Sequence, residues 1–232
     1  MTANHIQGSI VALITPFYPD GTVNYDKLGQ LIDFHLENET DAILILGTTG
    51  ESSTMSHEED DQVCRYTVDR VAGRVPVIAG SGSNSTQTML EKSLRFQNLG
   101  ADGLLLITPY YNKTNEEGMV RHFTTVADAV NIPCILYNVP GRTGCSISEA
   151  AIRRLAAHPR IMGIKEASGN MSYAVKIARY LSEDFRMYCG NDDITVPLLS
   201  LGASGVISVL ANVVPRETHN MVWDNLRGDH QK

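Results

Sequence analysis

Apolar residues along this chain gather into eight short runs: Ser9–Thr15, Ala42–Leu46, Val75–Ala79, Gly103–Thr108, Pro133–Tyr137, Ile161–Lys165, Arg186–Cys189 and Gly205–Val209. Runs of this length, rich in Val, Ile and Leu, mark strands buried on both faces. Between them lie stretches whose apolar residues recur three and four apart, as at Tyr25–Glu37, His57–Val71, Thr86–Asn98 and Glu116–Val130, which is the period of an amphipathic helix. Strand followed by helix, repeated, predicts a parallel sheet of the α/β class. Eight units in 232 residues suit a closed (β/α)8 TIM barrel better than an open doubly wound sheet.

Two helix starts have a local signature as well. Ser56 with Glu59 and Thr114 with Glu117 show the spacing of a capping box, in which the hydroxyl and the carboxylate each satisfy a backbone N–H that the first turn leaves free. No polar or Pro/Gly-rich tract divides the chain, so residues 1–232 are expected to form one barrel domain.

Composition narrows the function classes. A net charge of −7 and a pI near 5.5 argue against a surface that grips nucleic acid or anionic lipid, since both require clustered positive charge. An acidic substrate must then be held by individual cations. Met1 to Ile10 lacks a basic flank followed by an apolar core, and no apolar run is long enough to cross a bilayer, so a soluble cytoplasmic protein is expected. Cys64, Cys134, Cys145 and Cys189 are far apart and form no C-x-x-C pair, which signals neither zinc nor a disulfide framework.

In a barrel of this type the chemistry sits at the C-terminal ends of the strands. Strand two runs into Gly47–Glu51, strand four into Thr108–Lys113, strand five into Tyr137–Thr143 and strand six into Gly163–Ser168. Alternation puts Gly163 and Lys165 on one face of strand six and Met162 and Ile164 on the other, so Lys165 points into the barrel if the second face packs on helices. Desolvation there favours the neutral amine, the form that attacks a carbonyl in Schiff-base catalysis. Tyr137 ends the neighbouring strand on the same face as Ile135, where its hydroxyl can exchange protons with the nitrogen, and Thr48 and Tyr111 offer hydroxyls to extend a relay. Arg142 follows the rigid turn Pro140-Gly141 and has the planar fork that suits a carboxylate. The Gly47–Glu51 loop offers backbone amides to an anion or is a tight turn leading to the Ser56 cap. No H-E-x-x-H, P-loop or G-x-G-x-x-G motif is present, and the seven histidines are scattered; no metal and no cofactor is expected.

Taken together, Gly47–Glu51, Tyr110-Tyr111-Asn112, Tyr137–Thr143 and Gly163–Ser168 resemble the dihydrodipicolinate synthase family of pyruvate-dependent class I aldolases, and the likeness runs from Ser9 through Gly205–Val209. The resemblance implies a homo-oligomer, dimer or tetramer, that condenses pyruvate with aspartate semialdehyde to give 4-hydroxy-tetrahydrodipicolinate, the entry to diaminopimelate and lysine. It implies that Lys165 forms the imine and Tyr137 is the general acid and base. Thr48 and Tyr111 would complete the proton relay, Tyr111 coming from a neighbouring subunit. Thr49 would hold the pyruvate carboxylate and Arg142 that of the semialdehyde, with Gly190 and Ile207 as further substrate-binding positions. A lysine-effector site would be formed by Ser52, His57, Asn84 and Tyr110.

Two departures accompany the likeness. The family's C-terminal helical region is mostly lacking after one helix-like stretch, Pro215 to Arg227, which bears on barrel coverage and assembly. Thr88 stands where feedback-inhibited relatives resemble one another in carrying an acidic residue, so weak or absent inhibition by lysine is expected. The competing readings are another pyruvate-dependent aldolase, of the N-acetylneuraminate or keto-deoxy-sugar-acid lyase type, and a shortened non-catalytic barrel serving as a binding or assembly partner.

Overall fold

A computed structural model describes residues 6–229. Its eight strands are β1 (Gly8–Ala12), β2 (Ala42–Ile45), β3 (Val77–Gly80), β4 (Gly103–Ile107), β5 (Cys134–Asn138), β6 (Ile161–Glu166), β7 (Arg186–Cys189) and β8 (Gly205–Ser208). They pair in chain order, all parallel, and the sheet closes where Ile10 of β1 lies beside Ile207 of β8. The expected (β/α)8 barrel is therefore present, although β1 stops at Ala12, short of Thr15, and β3 begins at Val77, two residues later than the apolar run.

Period-two alternation sorts the strand residues into two cores. Ile10, Leu44, Ile78, Leu105, Ile135, Tyr137, Tyr188 and Ile207 fill the barrel interior. Val11, Ile43, Leu104, Leu136, Ile164, Met187 and Val206 face outward, beneath a shell of helices. The principal helices are α1 (Tyr25–Glu37), α2 (His57–Val71), α3 (Thr86–Asn98), α4 (Glu116–Ala129), α5 (Pro140–Thr143), α6 (Glu149–Leu155), α7 (Met171–Ala178), α8 (Thr195–Ser200) and α9 (Pro215–Leu226). Each of α1, α2, α3, α4, α6 and α7 begins with an Asn or Ser whose side chain accepts from an amide of the first turn.

Two local expectations are resolved differently. The Ser56–Glu59 capping box is formed, but α4 is capped by Asn115, whose Oδ1 accepts from the Gly118 amide at 2.9 Å. Glu117 turns instead to Arg121 and Arg154. Asn competes well with Thr for a cap position, and the start moves by one residue. On β6, Met162 joins the interior core instead of the helix-facing side. The register explains it: Cys134 pairs with Ile161 while Ile135 pairs with Gly163, so Met162 is the extra residue of a bulge. Beyond the bulge the alternation holds, with Ile164 outward and Lys165 inward.

Candidate active site

Lys165 and Tyr137 are register partners at the ends of β6 and β5, and Tyr188 of β7 flanks Lys165 on its other side. Both are buried, at 5% and 7% exposure. The amine stands over the face of the Tyr137 ring, 4.5 Å from its centroid. Burial lowers the Lys165 pKa to about 8, with the Asp192 carboxylate opposing that shift and Arg142 reinforcing it. Burial also raises the Tyr137 phenol, against the Arg142 charge and a hydrogen bond with Thr48. An amine poised near neutrality beside a phenol that stays protonated can attack a carbonyl and have a proton delivered to the developing hydroxide.

Glycine at 190 makes room for this lysine. A Cβ there would lie 3.1 Å from Lys165 Cε and 2.6 Å from Ala167 Cβ. Ile207 is fully buried in the interior core, below the mouth. Arg142 lies on the short helix α5 and is exposed at the rim. Thr48 and Thr49 lie in the loop after β2, which is bracketed by left-handed Leu46 (φ 57°) and Glu51 (φ 57°). Two non-glycine residues held at positive φ cost energy that the surrounding contacts must offset. The amides of Gly50 and Glu51 donate to the carbonyls of Gly47 and Thr48, so part of the loop's donor capacity is used within the turn.

A cavity of about 490 Å³ opens beside this group. Thr48, Tyr137 and Arg142 line it together with Ser52, His57, Thr88 and Tyr110, so these three reaction-site residues share one space with most of the effector set, while Lys165, Thr49, Gly190 and Ile207 do not line it. Asn84 does not line it; its backbone carbonyl accepts from Asn112 Nδ2. Tyr111 is not with the Lys165 group in this chain. Its side chain is 91% exposed and its backbone is left-handed, at φ 67°.

Several residues at the site were not anticipated. Lys92 and Asp60 form a buried ion pair at 2.7 Å in the cavity wall, and Ser52 Oγ bridges them, accepting from Lys92 Nζ and donating to Asp60 Oδ1. A signal was available, since Asp60 falls on the apolar stripe of α2 with Val63, Cys64 and Thr67, and Lys92 on that of α3 with Met89 and Phe96. Asp192 had no such signal beyond its place in the loop after β7. It accepts from the Val209 and Leu210 amides, which fixes its carboxylate near Lys165. Among the described residues no group of three or more His, Cys, Asp or Glu is placed to hold a metal ion.

A closed parallel barrel with a desolvated lysine against a tyrosine at its C-terminal mouth is the architecture of an enzyme of the lysine-nucleophile type. The chain belongs to the dihydrodipicolinate synthetase family, whose sequence model matches residues 5–232. It is 53% identical over 226 residues to the 4-hydroxy-tetrahydrodipicolinate synthase of Caldicellulosiruptor bescii, covering 97% of this chain and 76% of the relative. Among solved structures, the dihydrodipicolinate synthase of Aquifex aeolicus is 46% identical with a TM-score of 0.93, over 96% of this chain and 76% of that one. The Acinetobacter baumannii synthase, solved in complex with pyruvate, is 43% identical with a TM-score of 0.95, over 98% and 78%.

Proposed function

We infer that this chain condenses pyruvate with L-aspartate 4-semialdehyde to give 4-hydroxy-tetrahydrodipicolinate, the step for which its relatives are named. The observation that carries the reading is Lys165, buried, lowered to about 8 and seated over Tyr137. The neutral amine adds to the C2 carbonyl of pyruvate, and the carbinolamine loses water with Tyr137 as proton donor. Loss of a methyl proton from the imine gives an enamine, whose carbon attacks the aldehyde; the semialdehyde's own amine then adds to the imine carbon, closing the ring and expelling Lys165 as the free amine. Thr48, hydrogen-bonded to Tyr137, passes the proton on, and Tyr111, so exposed here, is supplied by a neighbouring subunit of a dimer or tetramer. Thr49 and the amides of its loop take the pyruvate carboxylate, and Arg142 takes that of the semialdehyde. Gly190 leaves space for the Lys165 stem, and Ile207 closes the floor.

In the effector part of the cavity, Thr88 supplies no carboxylate, and Lys92 already presents an ammonium to Ser52 and Asp60. A second ammonium there meets like charge, so lysine inhibits weakly or not at all. Ser52, His57 and Tyr110 line a pocket whose one carboxylate, Asp60, is already paired with Lys92, and Asn84 does not line it. Small diffusible anionic substrates suit a cytoplasmic enzyme, and no helix among the described residues is long and apolar enough to cross a membrane.

Incubation with pyruvate, reduction with borohydride and peptide mass spectrometry tests the core of this reading. A reduced pyruvyl adduct on Lys165 is expected; folded protein without one refutes it.

A further inference from the structure

Behind the reacting faces of Tyr137 and Lys165, the next residue of each strand points outward. Asn138 and Glu166 are also register partners, and both are buried, at 0% and 2% exposure. Asn138 Nδ2 donates to Glu166 Oε2 at 2.7 Å, and Glu166 Oε1 accepts from the Ser168 amide at 2.7 Å. Asn138 Oδ1 accepts from Ser146 Oγ at 3.2 Å and from the Ile147 amide at 3.1 Å. The Ile147 N–H can only donate, which fixes the amide's orientation and leaves its NH2 for the glutamate. From the helix side, the Tyr173 hydroxyl of α7 donates to the Ile147 carbonyl at 2.7 Å. Burial pushes the Glu166 carboxyl up, while the bonds from Ser168 and Asn138 hold it down.

The segment these bonds close is the turn that carries Arg142. It leaves β5 at Val139, passes through α5 and returns to Asn138 at Ser146 and Ile147. Its near end is tied separately, through Thr143 Oγ1 to the carbonyls of Val139 and Cys145.

We propose that Asn138 and Glu166 are positioning residues: their bridge, completed by Tyr173, clamps the Arg142 turn to the strand ends bearing Tyr137 and Lys165, and so sets the distance between carboxylate recognition and the nucleophile. This rests on the reading of Lys165 as the imine-forming residue and of Arg142 as the anchor of the second substrate. Burying this set of polar groups on the helix-facing side, where the neighbours Leu136 and Ile164 are apolar, has a cost that packing alone does not require.

The bridge has a polarity that can be reversed. In Glu166→Gln one amide must face two donors, Ser168 N–H and the Asn138 NH2, so a donor meets a donor. In Asn138→Asp two carboxylates meet as acceptors of like charge. The double variant Asn138→Asp/Glu166→Gln restores every bond: the carboxylate now on β5 accepts from Ile147, Ser146 and the new amide on β6, and the oxygen of that amide accepts from Ser168.

The test measures KM for aspartate semialdehyde beside borohydride trapping of pyruvate. Each single variant is expected to raise the semialdehyde KM about tenfold or more while trapping on Lys165 persists, and the double variant to return within about threefold of the parent. Tyr173→Phe, which removes only the hydroxyl bond to the Ile147 carbonyl and leaves both strands' residues unchanged, is expected to raise the same KM roughly threefold, and it carries the test if the single strand variants do not fold. An unmoved semialdehyde KM, a double variant no better than the singles, or trapping lost in proportion to KM overturns the proposal. Absence of an adduct in the parent protein refutes the reading of Lys165 itself, an outcome distinct from any of these.

Discussion

Replacing Lys165 by Met should abolish imine formation and at the same time stabilise the protein at neutral pH. The lysine is buried, and its pKa falls from 10.5 to about 8, a difference that corresponds to about 3 kcal/mol at about 1.4 kcal/mol per unit. The ammonium's attraction to the Tyr137 ring, 4.5 Å away, returns about 1 kcal/mol. A flexible apolar chain of similar length therefore gains about 2 kcal/mol, or roughly 4–8 °C in Tm for a domain of this size. Asp192 keeps two backbone donors when the lysine is gone, so little of the gain is lost there. The sign of the pH dependence follows from the lowered value. Below pH 8 both states bind the proton and the penalty is complete; between about 8 and 10.5 the unfolded chain binds more protons, and the penalty vanishes. Thermal melts of parent and variant from about pH 7 to about pH 10 should show a gap that is widest at the lower end and closes upward, groups common to both cancelling in the difference. A variant that melts at or below the parent at neutral pH, or a gap that stays constant, refutes the argument that Lys165 is held at the expense of stability.

Three further outcomes follow from the same geometry. The rate of pyruvate trapping should rise about tenfold per pH unit up to near pH 8 and then level off, because the neutral amine is the reactive form; a rate still climbing beyond about pH 9 would mean an ordinary lysine. Gly190→Ala should lower kcat/KM by roughly 10- to 100-fold with a modest fall in Tm, since the new methyl contacts Lys165 Cε and Ala167; steady-state kinetics beside a melt decide it. Lys92→Met should cost about 3–5 kcal/mol by leaving the buried Asp60 carboxylate unpaired, and Asp60→Asn/Lys92→Met should recover most of that in a urea titration.

The barrel was legible because its cause is local. Eight apolar runs separated by helical stretches leave few alternatives once each strand must be buried on both faces and each connection must return to the same end of the sheet. The inward direction of Lys165 and Tyr137 was legible for the same reason, since a two-residue period survives everywhere except across a bulge. Met162 was misplaced because a bulge arises from the fit between β5 and β6, and nothing in the residues of β6 alone announces it.

What only the tertiary structure decided is distance between parts of the chain that are remote in sequence. That Ser52, Asp60 and Lys92 form one buried group, that Thr48, Tyr137 and Arg142 share a cavity with Ser52, His57 and Tyr110, and that Asn138 ties the Arg142 turn to Glu166 all depend on how helices and loops pack around the closed sheet. The same holds for the amine's pKa. Residue type and strand position put Lys165 inside the barrel, but the extent of its desolvation, set against the field of Asp192, is a property of the assembled mouth, because burial and Coulomb terms act through space and not along the chain.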